Sequence, residues 1–314
     1  MNEPLYAYCV TNEAHFLARL LKSIRHQQAL DALAPPATPP RRLLVTNVPM
    51  TELEGEIIAF FKGRIEFCNP IVHDDLVNKD YFCLSKFRNA CIAYARAQEE
   101  EWLFLCDCDT VLASYDFTPP PSKYGVPNVY WQKSETETIQ QSLETIAEKG
   151  KAAFSVGNSW FILGRSIIEK FTFNENIYGW GWEDIEFDTR VKAAYFGLSV
   201  IDQVVIHVFH PEAHRVRDDY AFSRGKRILE TTRTLLQFKL PPTEAHATGY
   251  FDIVAPEGSF SFLTFTCSGD GLHSKTGQRG IVSHTEEGSL KITWDDGAVR
   301  HYQASGEQFL SVDH

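Results

Sequence analysis

Three apolar runs divide the first third of the chain: "YAYCVTN" (6–12), "RRLLVTN" (41–47) and "WLFLC" (102–106). Each is short, dominated by residues that fill a pleated surface, and ends in polar or acidic residues, which reads as a buried strand. Between them lie stretches of helical spacing. Phe16, Leu17, Leu20, Leu21 and Ile24 form one stripe after the first run, with Asn12 as its N-cap. Residues 51–62 predict a second helix, and Phe87, Ala90, Cys91, Tyr94 and Ala97 form the apolar face of a third over 85–101. Strand, helix, strand, helix, strand predicts an α/β domain with a mostly parallel sheet and helices on both faces. Ligands of such sheets bind beyond the carboxyl ends of the strands. Thr11, Asn47, Asp107 and Asp109 all follow apolar runs and are expected on that rim.

Further along, 115–127 is expected as a loop, 140–150 as a helix, and 153–171 as strand, turn and helix. Residues 178–197 predict a Gly/Trp loop running into a helix, 204–211 a strand closed by Pro211, and 217–236 a last helix. The stretch "PPTEAHATG" (241–249) reads as a linker. After it, "SFSFLTFTC", "IVSHT", "LKITW" and "VRHYQA" alternate between turn signals, which predicts a small antiparallel β module. The expected domains are therefore 1–240, carrying the chemistry, and 249–314, an accessory module open to acceptor binding or oligomerisation.

Charge narrows the partners. The 314 residues carry a net charge of −11, and residues 249–314 carry four basic against nine acidic residues, a net of −5. Both balances disfavour nucleic acid and anionic membrane as partners. No run approaches the roughly 18 apolar residues of a membrane span, and the N-terminus lacks the features of a secretory signal. Seven cysteines with no CxxC pair fit reduced thiols, so a cytoplasmic chain is expected.

Three groups of residues carry chemistry. Asp107 and Asp109 would share one face of an extended chain, where like charges repel unless a cation lies among them; a solvated turn is the plainer alternative. Their oxygen ligands suit Mn²⁺ or Mg²⁺ bridging phosphates. A thiolate site through Cys106 and Cys108 lacks a second cysteine pair to complete it. The second group is "YGWGWEDIEFD" (178–188), where glycines admit a close backbone approach and Tyr178, Trp180 and Trp182 offer flat faces to a sugar or base. Glu183 and Asp184 stand at a helix start, where the dipole favours the ionised form and a general base is well placed. The third is His207, His210 and His214: His210, exposed by Pro211 at the strand end, is the first choice as a nitrogen ligand, His207 the second, and His214 is assigned to the surface.

Taken together, "CVTNEAHFLARLLKSI", "SKFRNACIAYA", "LFLCDCD" and "YGWGWEDIEFDTRV" resemble the GT-A glycosyltransferases over about residues 5–235. The resemblance is to the group that includes the animal galactosyltransferases, the mucin-type N-acetylgalactosaminyltransferases and the bacterial chondroitin-type polymerases. It implies a GT-A, Rossmann-like fold and transfer of a sugar from a nucleotide donor, UDP-linked, to a glycan or other hydroxyl acceptor. It places Thr11 against the nucleotide, and Arg88 and Asn89 near base and ribose. Asp107 faces ribose or metal, and Asp109 and His210 bind Mn²⁺. Asp184 becomes the base of an inverting reaction, with Glu183 beside it on sugar hydroxyls. Two positions depart from the group: Asn47 closes a strand where many relatives carry an acid, and Trp182 replaces a glycine of the galactosyltransferases. A nucleotidyltransferase on a similar sheet is disfavoured, because "VTNEAHF" has no glycine-rich basic loop. A non-catalytic carbohydrate-binding protein would have no use for a base.

Overall fold

A computed structural model describes residues 3–74, 77–149, 160–194, 197–211 and 218–237, and six strands between 249 and 311. The chain divides into two compact units, Met1–Pro70 with Lys86–Thr172 and Phe196–Val216, and Ile71–Ser85 with Phe173–Tyr195 and Arg217–His314.

The first unit is built on an eight-stranded sheet. Its strands are β1 (Leu5–Val10), β2 (Arg41–Thr46), β3 (Ile65–Phe67), β6 (Trp102–Asp107), β7 (Thr110–Leu112), β8 (Tyr124–Trp131), β9 (Ile162–Gly164) and β10 (Ser199–His207), in the order β3-β2-β1-β6-β9-β8-β10-β7. β3, β2, β1 and β6 run parallel, as do β8 and β10. β9 is antiparallel to both of its neighbours, and β7 is antiparallel to β10. The α/β class and the mostly parallel sheet are thus as expected. Tyr6, Tyr8, Leu44, Phe104, Val129 and Val205 are buried in one apolar cluster with Leu20, Ile24 and Ile57 of the helices α1 (Ala14–Leu33) and α2 (Gly55–Phe60). This burial is the main favourable term, at about 1.5–3 kcal/mol for each large side chain fully removed from water. The helix α3 (Leu84–Ala97) leads into β6 as expected, and α4 (Ile139–Lys149) and α5 (Arg165–Lys170) follow.

Local expectations fail where long-range contacts intervene. Asn12 does not cap α1: Glu13 holds that position without a side-chain cap bond, because Asn12 Oδ1 accepts from Asn47 Nδ2 at 3.1 Å. The helix expected over 51–62 is a 3-10 turn at Met50–Glu52 and the short α2. β8 begins inside the expected loop 115–127, despite Pro127. The register with β10 shifts between Val200 and Val204, and Asn128 Nδ2 donates to Ile201 O at 2.8 Å, so the missing proline N–H falls at a bulge. β10 ends at His207, not at Pro211.

The second unit holds the hairpin strands β4 (Ile71–Asp74) and β5 (Lys79–Phe82), the helices α6 (Glu183–Ala193) and α7 (Asp219–Gln237), and a six-stranded antiparallel sheet. That sheet runs in sequence order through β11 (Gly249–Val254), β12 (Ser259–Phe265), β13 (Arg279–His284), β14 (Leu290–Trp294), β15 (Val299–Ser305) and β16 (Gln308–Ser311). The module is antiparallel as expected, with β11 and β16 added. The expected linker falls on 241–248, outside the described residues, and then Gly249. Six cysteines are free thiols among the described residues.

One buried ion pair organises α6. Glu186 and Arg190 have no exposed side-chain surface, are bonded at 2.7 and 2.9 Å, and Thr232 of α7 donates to Glu186 Oε1 at 3.1 Å. Breaking one side of such a pair leaves an uncompensated buried charge, at about 3–5 kcal/mol. Arg190→Ala is expected to lower the free energy of unfolding by that amount in urea denaturation; a loss below about 1 kcal/mol would place the pair in a wetter environment than its burial indicates.

Candidate metal centre and catalytic residues

Parallel pairing puts the ends of β1, β2 and β6 on one rim. Val10 pairs with Thr46, and Cys9 pairs with both Val45 and Asp107. Thr11 and Asn47 therefore follow their strands side by side, tied together when Asn12 N–H donates to Asn47 Oδ1 at 2.8 Å. Thr11 Oγ1 accepts from Glu13 N–H at 3.3 Å.

Asp107 and Asp109 do not share a strand face. β6 stops at Asp107, the chain turns through Cys108 and Asp109, and β7 leaves antiparallel to β10. The two acids take separate partners. Asp107 Oδ1 lies 3.8 Å from Nη2 of Arg88, a buried guanidinium on α3, and Asn89 follows it half-buried on the same helix. Asp109 is buried and faces two histidines, with its Oδ2 3.5 Å from His207 Nε2 and 3.1 Å from His210 Nε2. Burial opposes ionisation of Asp109, but the two imidazoles outweigh it and hold the carboxyl below its usual range.

The ligand atoms of Asp109, His207 and His210 all lie within 4.8 Å of one another. Asp109 Oδ1 is buried and has no hydrogen-bond partner. Two imidazoles and a carboxylate that still has an unspent buried oxygen form a donor set that fits a divalent cation. Asp107 is outside that group of three. Burial pushes the Cys106 and Cys108 thiols well up, and neither cysteine belongs to that group of three.

The histidines arrive through β10. His207 pairs with Thr110 of β7 and with Trp131 of β8. Val208 N–H donates to Asp109 O at 2.8 Å, and Phe209 N–H to Gln132 Oε1 at 3.0 Å. These bonds fix the segment that carries His210 to the turn that carries Asp109. His214 lies outside the described residues. Sequence reasoning missed the rings beside His207: Trp131 at a centroid distance of 4.1 Å and Trp160 at 5.7 Å. The only available signal was a tryptophan closing the unrecognised strand β8.

In the second unit the Gly/Trp loop caps α6. Gly179, Gly181 and Trp182 have φ of +77°, +100° and +80°. Gly179 N–H donates to Phe82 O at 2.7 Å, and a Cβ there would lie 2.7 Å from that of Ala221, so glycine is required on two counts. Trp182 occupies the N-cap position in a conformation that L side chains rarely adopt, with its ring packed 4.9 Å from Phe222. Its indole N–H is buried and unpartnered. Trp180 is exposed, whereas the acids Glu183 and Asp184 of the first turn are buried. Asp184 Oδ1 accepts from Ile185 N–H at 2.8 Å.

No family model matches the chain, and no curated protein matches it. Solved structures of other proteins align with this chain at low identity. The catalytic domain of Drosophila β1,4-galactosyltransferase 7, in complex with xylobiose, covers 80% of this chain and 87% of its own at 13% identity and a TM-score of 0.45. GalNAc-T7 with UDP, GalNAc and Mn²⁺ covers 100% and 80% at 11% identity and 0.42. Mannosyl-3-phosphoglycerate synthase from Rubrobacter xylanophilus covers 84% and 87% at 14% identity and 0.41. Among the described residues, no helix is long and apolar enough to cross a membrane.

Proposed function

We propose that this chain is a metal-dependent glycosyltransferase that moves a sugar from a UDP-linked donor to a hydroxyl of a saccharide or related acceptor. The observation that carries the reading is the triplet of buried Asp109 and His207 with half-buried His210, next to strand ends of a mostly parallel sheet. Asp109, His207 and His210 would hold the cation. The two imidazoles weigh against Mg²⁺, which prefers oxygen, so Mn²⁺ is assigned. When bound, the ion neutralises diphosphate charge and favours departure of UDP.

The chain's own groups do the rest. Asp107, opposite Arg88, is assigned to the ribose, and Thr11, Asn47, Arg88 and Asn89 to the nucleotide. Asp184 is assigned as the base that takes the proton of the acceptor hydroxyl while that oxygen attacks the anomeric carbon and the bond to UDP breaks. Glu183 and the indoles Trp180 and Trp182 are assigned to sugar contacts. The accessory module is assigned to acceptor binding or self-association, and the cytoplasm is the proposed location.

Incubation of the full chain with a panel of UDP-sugars, with and without Mn²⁺, tests the reading. Mn²⁺-dependent release of UDP is expected. Release of pyrophosphate from a nucleoside triphosphate would assign a nucleotidyltransferase instead, and sugar binding without turnover a carbohydrate-binding protein.

A further inference from the structure

Trp131 closes β8 and pairs in register with His207, yet the roles above leave it unused. Two rings hold its indole. His207 lies at a centroid distance of 4.1 Å with a tilt of 36°, and Trp160 meets it edge-on at 5.8 Å and 79°. Trp160 is itself fixed, since its Nε1–H donates to Thr110 Oγ1 at 2.6 Å. Despite this packing, Trp131 is 40% exposed, whereas Trp160 is 2% and His207 7% exposed. A large apolar ring held in one orientation and left in water loses little further entropy when a ligand covers it. A phosphate gains nothing from an apolar ring face at this position. A pyranose does, because its C–H face packs on an indole while its hydroxyls remain free for hydrogen bonds.

The geometry points to Trp131 as the platform for the sugar ring of the donor, a positioning residue that recognises the sugar rather than the nucleotide. The inference rests on the glycosyltransferase reading, because it places the donor diphosphate on the Asp109–His207–His210 triplet, one ring away from Trp131.

Calorimetric titration of the full chain with Mn²⁺ tests it, using UDP, UDP-glucose, UDP-galactose, UDP-N-acetylglucosamine and UDP-N-acetylgalactosamine on the wild type, Trp131→Phe and Trp131→Ala. At least one UDP-sugar is expected to bind the wild type more tightly than UDP does. Trp131→Ala is expected to weaken that sugar nucleotide about tenfold, the scale of one lost aromatic contact, and to change UDP by less than about twofold. Trp131→Phe keeps a flat ring against His207, which guards against a folding defect, and is expected to stay within about threefold of the wild type. Equal weakening of UDP and UDP-sugar would overturn the inference and assign Trp131 to the base or to the support of His207. It would also fall if no attached sugar improved on UDP, or if Trp131→Ala left the sugar nucleotide unaffected. A wild type that binds no UDP in the presence of Mn²⁺ would remove the glycosyltransferase reading itself, and this inference with it.

Discussion

Asp109→Asn is expected to remove Mn²⁺ binding and to reduce turnover by more than about 100-fold, the upper range for losing even an indirect metal contact. The carboxylate is the only anionic member of the triplet, and its Oδ1 has no protein partner to lose. Removing the charge leaves the two imidazoles as neutral donors, too weak a set to hold a hydrated divalent ion. Asparagine has nearly the same shape, so the effect should fall on the ion rather than on the packing. Thermal melting separates the two. At 100 times its Kd, Mn²⁺ stabilises the wild type by about 2.7 kcal/mol, and the variant should melt at the same temperature with or without the ion. An unchanged Mn²⁺ shift in Asp109→Asn would remove this residue from the site.

Asp184→Asn is expected to lower kcat by about 10²–10⁴-fold, the usual contribution of a general base, while UDP and Mn²⁺ still bind. Asparagine keeps the Oδ1 that accepts from Ile185 N–H, so the start of α6 should be preserved. A single displacement inverts the anomeric centre, so an α-linked donor should yield a β-linked product. Single-turnover kinetics and NMR of the product supply the two checks. An α-linked product, or a variant with near-normal kcat, would defeat the assignment.

Much of this chain is legible locally. The apolar runs before Thr11, Asn47 and Asp107 predict buried strands because a continuous run admits few other solutions, and β1, β2 and β6 follow. The stripe on 85–101 likewise becomes α3. Glu183 and Asp184 stand in the first turn of α6, as the glycine-rich approach implies. β8 was illegible because Pro127 reads as a loop signal, and only the bulge in its pairing with β10 makes that residue acceptable in a sheet. Asn12 reads locally as a cap for a similar reason: its competing partner, Asn47, is 35 residues away in sequence.

By itself, the sequence determined the type of most elements, the acidic residues at their ends and the supply of histidines at the end of β10, since each depends on periodicity and on neighbours within a turn or two. Tertiary structure alone decided which of these residues meet. Asp109 joins His207 and His210, far along the chain, because the short strand β7 turns back antiparallel along β10. Asp107, two residues earlier, is on the other side of that turn and faces Arg88 instead. Trp131 joins His207 through the parallel pairing of β8 with β10. Strand order and register are settled by burial and hydrogen bonding over the whole sheet, and no local window of sequence contains that information.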